Sequence, residues 1–130
     1  MLIAMVSSGM AVIMRRESMY KGTIALDIDG TILDPREGPA LFDEVVMFFT
    51  ALHKEGWQFI FVTGREFVYA MEPLSKLNFP FYLAVQNGAD LIKMPEHDHI
   101  KSFYFDESVV EELEKLFEKV KGDFLLYAGY

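Results

Sequence analysis

The stretch ALDIDGTIL (25–33) sets two carboxylates, Asp27 and Asp29, one residue apart at the end of an apolar run. Taking one carboxylate out of water is costly, and a second beside it adds repulsion unless a proton or a cation lies between them. Alternation along a strand puts positions i and i+2 on the same side, so both acids face one way. A hard divalent ion such as Mg2+ suits the pair, because it takes oxygen ligands and keeps positions open for phosphate oxygens. With the repulsion relieved, one carboxylate can attack phosphorus while the other exchanges a proton. Gly30 lets the chain leave the strand sharply, and the Thr31 hydroxyl can brace the loop that follows.

Working outward, the apolar run 23–28 reads as a buried strand and LDPREGP (33–39) as a loop. Over 39–55, Leu41, Phe42, Val45, Val46, Phe48, Phe49 and Leu52 recur at helical spacing; Pro39 suits the first turn and Gly56 the stop. WQFIFVT (57–63) reads as a second buried strand, and Gly64-Arg65 turns into a helix over 66–77 that Pro73 kinks or divides. FYLAV (81–85) is a third strand, and Asn87-Gly88 is a tight-turn signal leading to a short further strand in ADLIKM (89–94). Strand–helix alternation of this kind predicts an α/β fold, a parallel sheet with helices packed on it, whose ligands bind beyond the carboxyl ends of the strands. Asp27 and Asp29, Thr63, and Asn87 fall at three such ends.

Later the pattern changes. EHDH (96–99) offers His97 and His99, which a solvated loop explains better than a metal site. SFYF (102–105) reads as an edge strand. Residues 108–121 form a charged amphipathic helix with Val109, Val110, Leu113, Leu116, Phe117 and Val120 inward, and DFLLYAGY (123–130) reads as a strand. The aromatic residues Phe42, Phe48, Phe49, Trp57, Phe59 and Phe61 are expected in the core.

Composition narrows the classes. At 130 residues the chain is one domain or part of one, and its 52% hydrophobic content is ample for a core. A net charge of -8 argues against a nucleic-acid surface. The absence of cysteine excludes disulfides and thiolate zinc sites. No apolar run reaches membrane-spanning length. The leader MLIAMVSSGMAVIMRRES (1–18) carries its positive charge after the apolar run, the reverse of a secretory signal, and is expected to lack regular structure or to be a non-native start. A cytoplasmic location is the matching expectation.

At DIDGTIL (27–33) the sequence resembles the haloacid dehalogenase superfamily, whose first motif it matches at every expected position. FIFVTGR (59–65) matches the second motif, and QNGADL (86–91) is similar to the segment after the third strand in the Cof-like, sugar-phosphate phosphatase branch, which carries an α/β cap. The resemblance implies a three-layer Rossmann-like core and an Mg2+-dependent phosphatase of a small phosphorylated metabolite. It implies Asp27 as nucleophile forming an aspartyl-phosphate, Asp29 as acid and base, and Thr63 as holder of a phosphoryl oxygen. It places the metal on the Asp27 carboxylate and the Asp29 backbone carbonyl, and the Gly30 N–H on the phosphoryl group. Thr31, Gly64, Arg65 and Asn87 are taken as substrate-binding or loop-bracing positions.

The family's complete machinery also needs a later Lys and further acids after a fourth core strand, and Lys121 and Asp123 are unconvincing counterparts. The chain is therefore expected to be a piece of a longer protein: a leader (1–18), the first half of a core (19–98) and the start of a cap (99–130). Such a half-core would expose a sheet edge and associate with itself or a companion chain. The alternatives are a phosphomutase and a non-catalytic fragment of a split protein. A signalling receiver is disfavoured, because the third strand ends in Gln86-Asn87 rather than Asp.

Overall fold

In the computed structural model, which describes residues 3–7, 10–14, 20–34, 36 and 38–120, two six-residue segments pair side by side as parallel strands. They are β3 (Gly22–Asp27) and β4 (Trp57–Val62), in register from Gly22–Trp57 to Asp27–Val62. Ahead of them, β1 (Ile3–Ser7) and β2 (Met10–Met14) form an antiparallel hairpin, a separate two-stranded sheet within the leader. β5 (Phe81–Val85) adds to β4 in parallel. β6 (Asp90–Met94) and β7 (Asp98–Ser102) then run antiparallel, completing a five-stranded sheet in the order β3-β4-β5-β6-β7. The sheet is thus mixed rather than wholly parallel. Only a single-turn 3-10 helix, Gln86–Gly88, and Ala89 join β5 to β6, too few residues for the crossover that a parallel neighbour needs.

Two helices make the crossovers between the parallel strands. α1 (Asp43–Lys54) starts four residues later than its apolar periodicity suggests, with Phe42 still extended and Asp43 and Glu44 in the first turn, where a helix N-terminus favours acids. Gly56, at φ +94, stops it. α2 (Phe67–Leu74) ends one residue after Pro73 instead of continuing to 77.

Because β3, β4 and β5 advance in one direction, right-handed crossovers set α1 and α2 on the same face of the sheet. There Phe49 of α1 packs its ring 5.2 Å from Phe59 and 5.8 Å from Phe61. Ala70 and Leu74 of α2 are buried in the same cluster as Leu83, Ile92 and Met94. The opposite face keeps Thr23, Ala25 and Val62 exposed.

Two of the expected core aromatics are not in the core. Phe42 is 48% exposed and Phe48 is 60% exposed. α1 buries one stripe through Phe49, and Phe48 is turned about 100° from it around the helix axis. Phe103, Tyr104 and Phe105 are likewise exposed and outside any strand; β7 stops at Ser102, and the Phe103 N–H donates to the Ala89 carbonyl (2.7 Å).

α3 (Glu107–Val120) forms as its pattern predicts, yet buries no residue. Val110, Leu113 and Phe117, at helical spacing, are half-buried. The expected strand at 123–130 lies outside the described residues. No helix among them is long and apolar enough to cross a membrane.

Candidate active site

The carboxyl ends of β3, β4 and β5 meet at one edge. Asp27, the last residue of β3, is exposed there, and the Thr31 hydroxyl donates to its Oδ2 (3.2 Å). The loop between them is tight. The buried Ile28 turns its carbonyl into the loop, where it accepts the N–H groups of Thr31, Ile32 and Leu33 at 3.3, 3.1 and 3.0 Å. Gly30 takes φ +75, a conformation that a side chain would strain. Its N–H donates to the Leu33 carbonyl (2.8 Å). In this structure the Gly30 N–H closes the turn.

The ends of β4 and β5 are stitched together through the backbone. The Thr63 N–H donates to Ala84 (2.9 Å), the Asn87 N–H to Thr63 (2.9 Å) and the Gln86 N–H to Arg65 (3.0 Å). Thr63 is only 2% exposed, and its hydroxyl oxygen accepts the Arg65 N–H (3.1 Å). Asn87 adopts the left-handed conformation that asparagine tolerates, at φ 57. Its amide lies against Gly64, where a Cβ would stand 3.2 Å from Asn87 Oδ1. Gly64 and Asn87 thus let two turns close on each other.

Arg65 reaches across to the loop after β3. Its Nε donates to Asp29 Oδ2 (2.8 Å) and its Nη2 to Asp29 Oδ1 (2.6 Å), a bidentate pair. Nη1 donates to the Tyr69 carbonyl in α2 (2.9 Å). The hydrogen bonds to Asp29 hold the guanidinium above its ordinary pKa, against the opposing effect of burial. The edge is flanked by two open depressions. One of ≈ 430 Å³ is lined by Gly64, Arg65, Glu66 and Tyr69; another of ≈ 350 Å³ runs from Gly30 along the loop to Phe42.

The structure therefore joins Asp27 to Thr31, Asp29 to Arg65, and Thr63 to Arg65 and Asn87. The side chain of Asp27 and the carbonyl of Asp29 are hard oxygen donors of the kind Mg2+ accepts alongside water and phosphate. Among the described residues no group of three or more acidic or histidine side chains gathers to form a complete protein cage. A cation that keeps most of its waters fits this donor set better than zinc does.

Two residues escaped the sequence reading. The Tyr69 carbonyl anchors Arg65, and nothing in its side chain signals that. Asp90 is fully buried on the core face, where Ser102 Oγ and Tyr104 OH each donate to Oδ1 at 2.6 Å and His99 Nδ1 stands 3.8 Å away. The alternation of Asp90, Ile92 and Met94 as the inward positions of β6 is the signal that could have found it. The other histidine of this stretch, His97, sets its ring edge-on against Phe67 (5.4 Å).

Known proteins agree with this architecture. The pattern of the haloacid dehalogenase-like hydrolase family matches residues 24–130. A Buchnera aphidicola (subsp. Schizaphis graminum) protein named for an inferred phosphatase activity is 33% identical over 73 residues, 56% of this chain and 26% of that protein. A phosphatase of the haloalkanoate (HAD) enzyme superfamily from Bacteroides thetaiotaomicron superposes with a TM-score of 0.67 at 19% identity, over 88% of this chain and 40% of the other. A haloacid dehalogenase-like hydrolase from B. subtilis does so with a TM-score of 0.65 at 21% identity, over 78% and 34%. These two likenesses concern the fold. The chain spans about a quarter of the curated relative's length and well under half of each structural neighbour's. With the family pattern covering most of its residues, the chain belongs to the haloacid dehalogenase-like hydrolases.

Proposed function

We propose that the protein containing this chain is an Mg2+-dependent phosphatase of a small phosphorylated metabolite, working through an aspartyl-phosphate. The observation that carries this reading is the convergence of Asp27, Asp29 and Thr63 on adjacent strand ends, with Asp27 exposed at the edge. A HAD subclass IIB sugar phosphatase is among the structural neighbours (TM-score 0.55, 18% identity), which makes a sugar phosphate the substrate class to try first.

In the proposed reaction an Asp27 carboxylate oxygen attacks phosphorus, and the bond from phosphorus to the leaving oxygen breaks. Asp29 gives its proton to that leaving oxygen. It then takes a proton from the water that attacks the aspartyl-phosphate, releasing inorganic phosphate and restoring Asp27. The Thr63 hydroxyl accepts from Arg65 and keeps its own proton for a phosphoryl oxygen. Thr31 holds the Asp27 carboxylate in place from the far side of the loop. When bound by the Asp27 carboxylate and the Asp29 carbonyl, Mg2+ supplies charge neutralisation between the acids and the phosphoryl oxygens.

The test is hydrolysis of p-nitrophenyl phosphate and of a panel of sugar phosphates by the full-length protein with Mg2+. Asp27→Asn removes the nucleophile and is expected to abolish turnover. Activity that survives this change, or that is indifferent to Mg2+ removal by chelation, overturns the reading.

A further inference from the structure

We infer that Arg65 is a positioning residue for Asp29, holding its carboxylate for proton transfer, and not a substrate-binding residue; this rests on the phosphatase reading above. A guanidinium grips a planar anion with one of its two-nitrogen edges. The edge formed by Nε and Nη2 is spent on both oxygens of Asp29, at 2.8 and 2.6 Å. Nη1 donates to the Tyr69 carbonyl at 2.9 Å, so three of the five guanidinium N–H donors are committed within the protein. A substrate anion would have to share the group with Asp29 and Tyr69.

Arg65 is itself well anchored. Its N–H donates to the Thr63 hydroxyl and its carbonyl accepts the Gln86 N–H, so the tether runs from the ends of β4 and β5 and the first turn of α2. Asp29 needs such a tether. It lies in the loop beyond β3 with its side chain 42% exposed. An acid must sit within hydrogen-bond reach of the leaving oxygen, and small misplacements are costly. Each carboxylate oxygen keeps a second lone pair outside the clamp.

A series of substituted phenyl phosphates, from p-nitrophenyl to p-methoxyphenyl, separates the two roles at nearly constant substrate size. Values of kcat/KM are measured for the full-length protein and for Arg65→Ala and Arg65→Lys. A p-nitrophenolate leaves without a proton, so Arg65→Ala is expected to change kcat/KM for that ester little, since kcat/KM reports formation of the aspartyl-phosphate, while kcat falls through the slower second step. The p-methoxyphenyl ester needs the acid and is expected to lose about 100-fold. Arg65→Lys, a point charge without the fork, falls between, and added guanidinium salt partly restores Arg65→Ala on the poor leaving groups.

An equal loss along the whole series, or a change confined to KM, overturns the inference while leaving the phosphatase reading intact. A parent protein that hydrolyses none of the esters overturns both. If Arg65→Ala melts below the assay temperature, the same comparison is made with Arg65→Lys, whose leaving-group dependence must steepen relative to the parent for the inference to stand.

Discussion

A carboxylate with no exposure at all is the most demanding residue in the described structure, and Asp90 is tolerated because Ser102 and Tyr104 both donate to it. Its second oxygen, Oδ2, is buried with no partner among the described residues. Asp90→Ala would remove the shared acceptor of two hydroxyls and leave an empty volume. It is expected to cost about 2–4 kcal/mol in urea denaturation, from the lost hydrogen bonds and the cavity together. Asp90→Asn keeps the acceptor and is expected to cost less than half of that. An unchanged midpoint for Asp90→Ala would mean that the cluster contributes nothing.

The residues of the acidic motif were legible because their cost demanded an explanation. The Arg65–Asp29 clamp was not, because it joins positions 36 apart and depends on where two loops come to rest. Gly30 was legible as a turn, whereas the bond its N–H makes to the Leu33 carbonyl was not.

At the scale of elements, the existence of β3 to β6 and of the three helices was readable and their ends were not; the β1–β2 hairpin and most of β7 fall where no strand was expected. Periodicity located α1, yet the helix could not begin until the chain left its extended conformation at Phe42. Proline ended α2 where the apolar pattern ran on.

The start of α3 carries a pH dependence. Asp106 Oδ1 accepts the Ser108 N–H (3.0 Å) and Ser108 Oγ (2.8 Å), and its carbonyl accepts the Val109 N–H (3.0 Å), the pattern of an N-cap. These bonds, the backbone one foremost, hold its carboxyl below the ordinary aspartate range. The unfolded chain therefore takes up the proton first as pH falls. The cap's contribution is full above the ordinary aspartate value and is lost as pH drops through the lowered one. Asp106→Ala is expected to lower helix content by circular dichroism at neutral pH, and to differ little from the parent in strong acid. A difference that persists in acid would point away from the carboxylate.

At the scale of the molecule, stability rests on one aromatic layer between the sheet and the two crossover helices. Phe61, fully buried, sits 5.8 Å from Phe49, 6.0 Å from Phe59 and 5.3 Å from Phe81. Phe61→Ala is expected to cost about 3–5 kcal/mol in the same denaturation experiment. The other face of the sheet keeps Ala25 and Val62 exposed, and among the described residues β3 pairs with a strand on one side only. An open edge beside an uncovered face invites pairing with another chain. The 130-residue chain on its own is therefore expected to sediment as an oligomer or to bind a companion polypeptide; a stable, non-aggregating monomer by analytical ultracentrifugation would rule this out.

What the sequence determined by itself is local and chemical. Apolar period marked the strands and helices, glycine and asparagine marked the turns, and the neighbouring carboxylates of Asp27 and Asp29 marked the candidate site. Tertiary structure alone decided what depends on two distant segments meeting. It selected which face of α1 is buried and turned half of the sheet antiparallel through a connection too short for a crossover. It also placed a guanidinium on Asp29. The physical reason is common to all three: a residue's own chemistry sets what it costs to bury or expose it, whereas its partner is chosen by the packing of the whole chain.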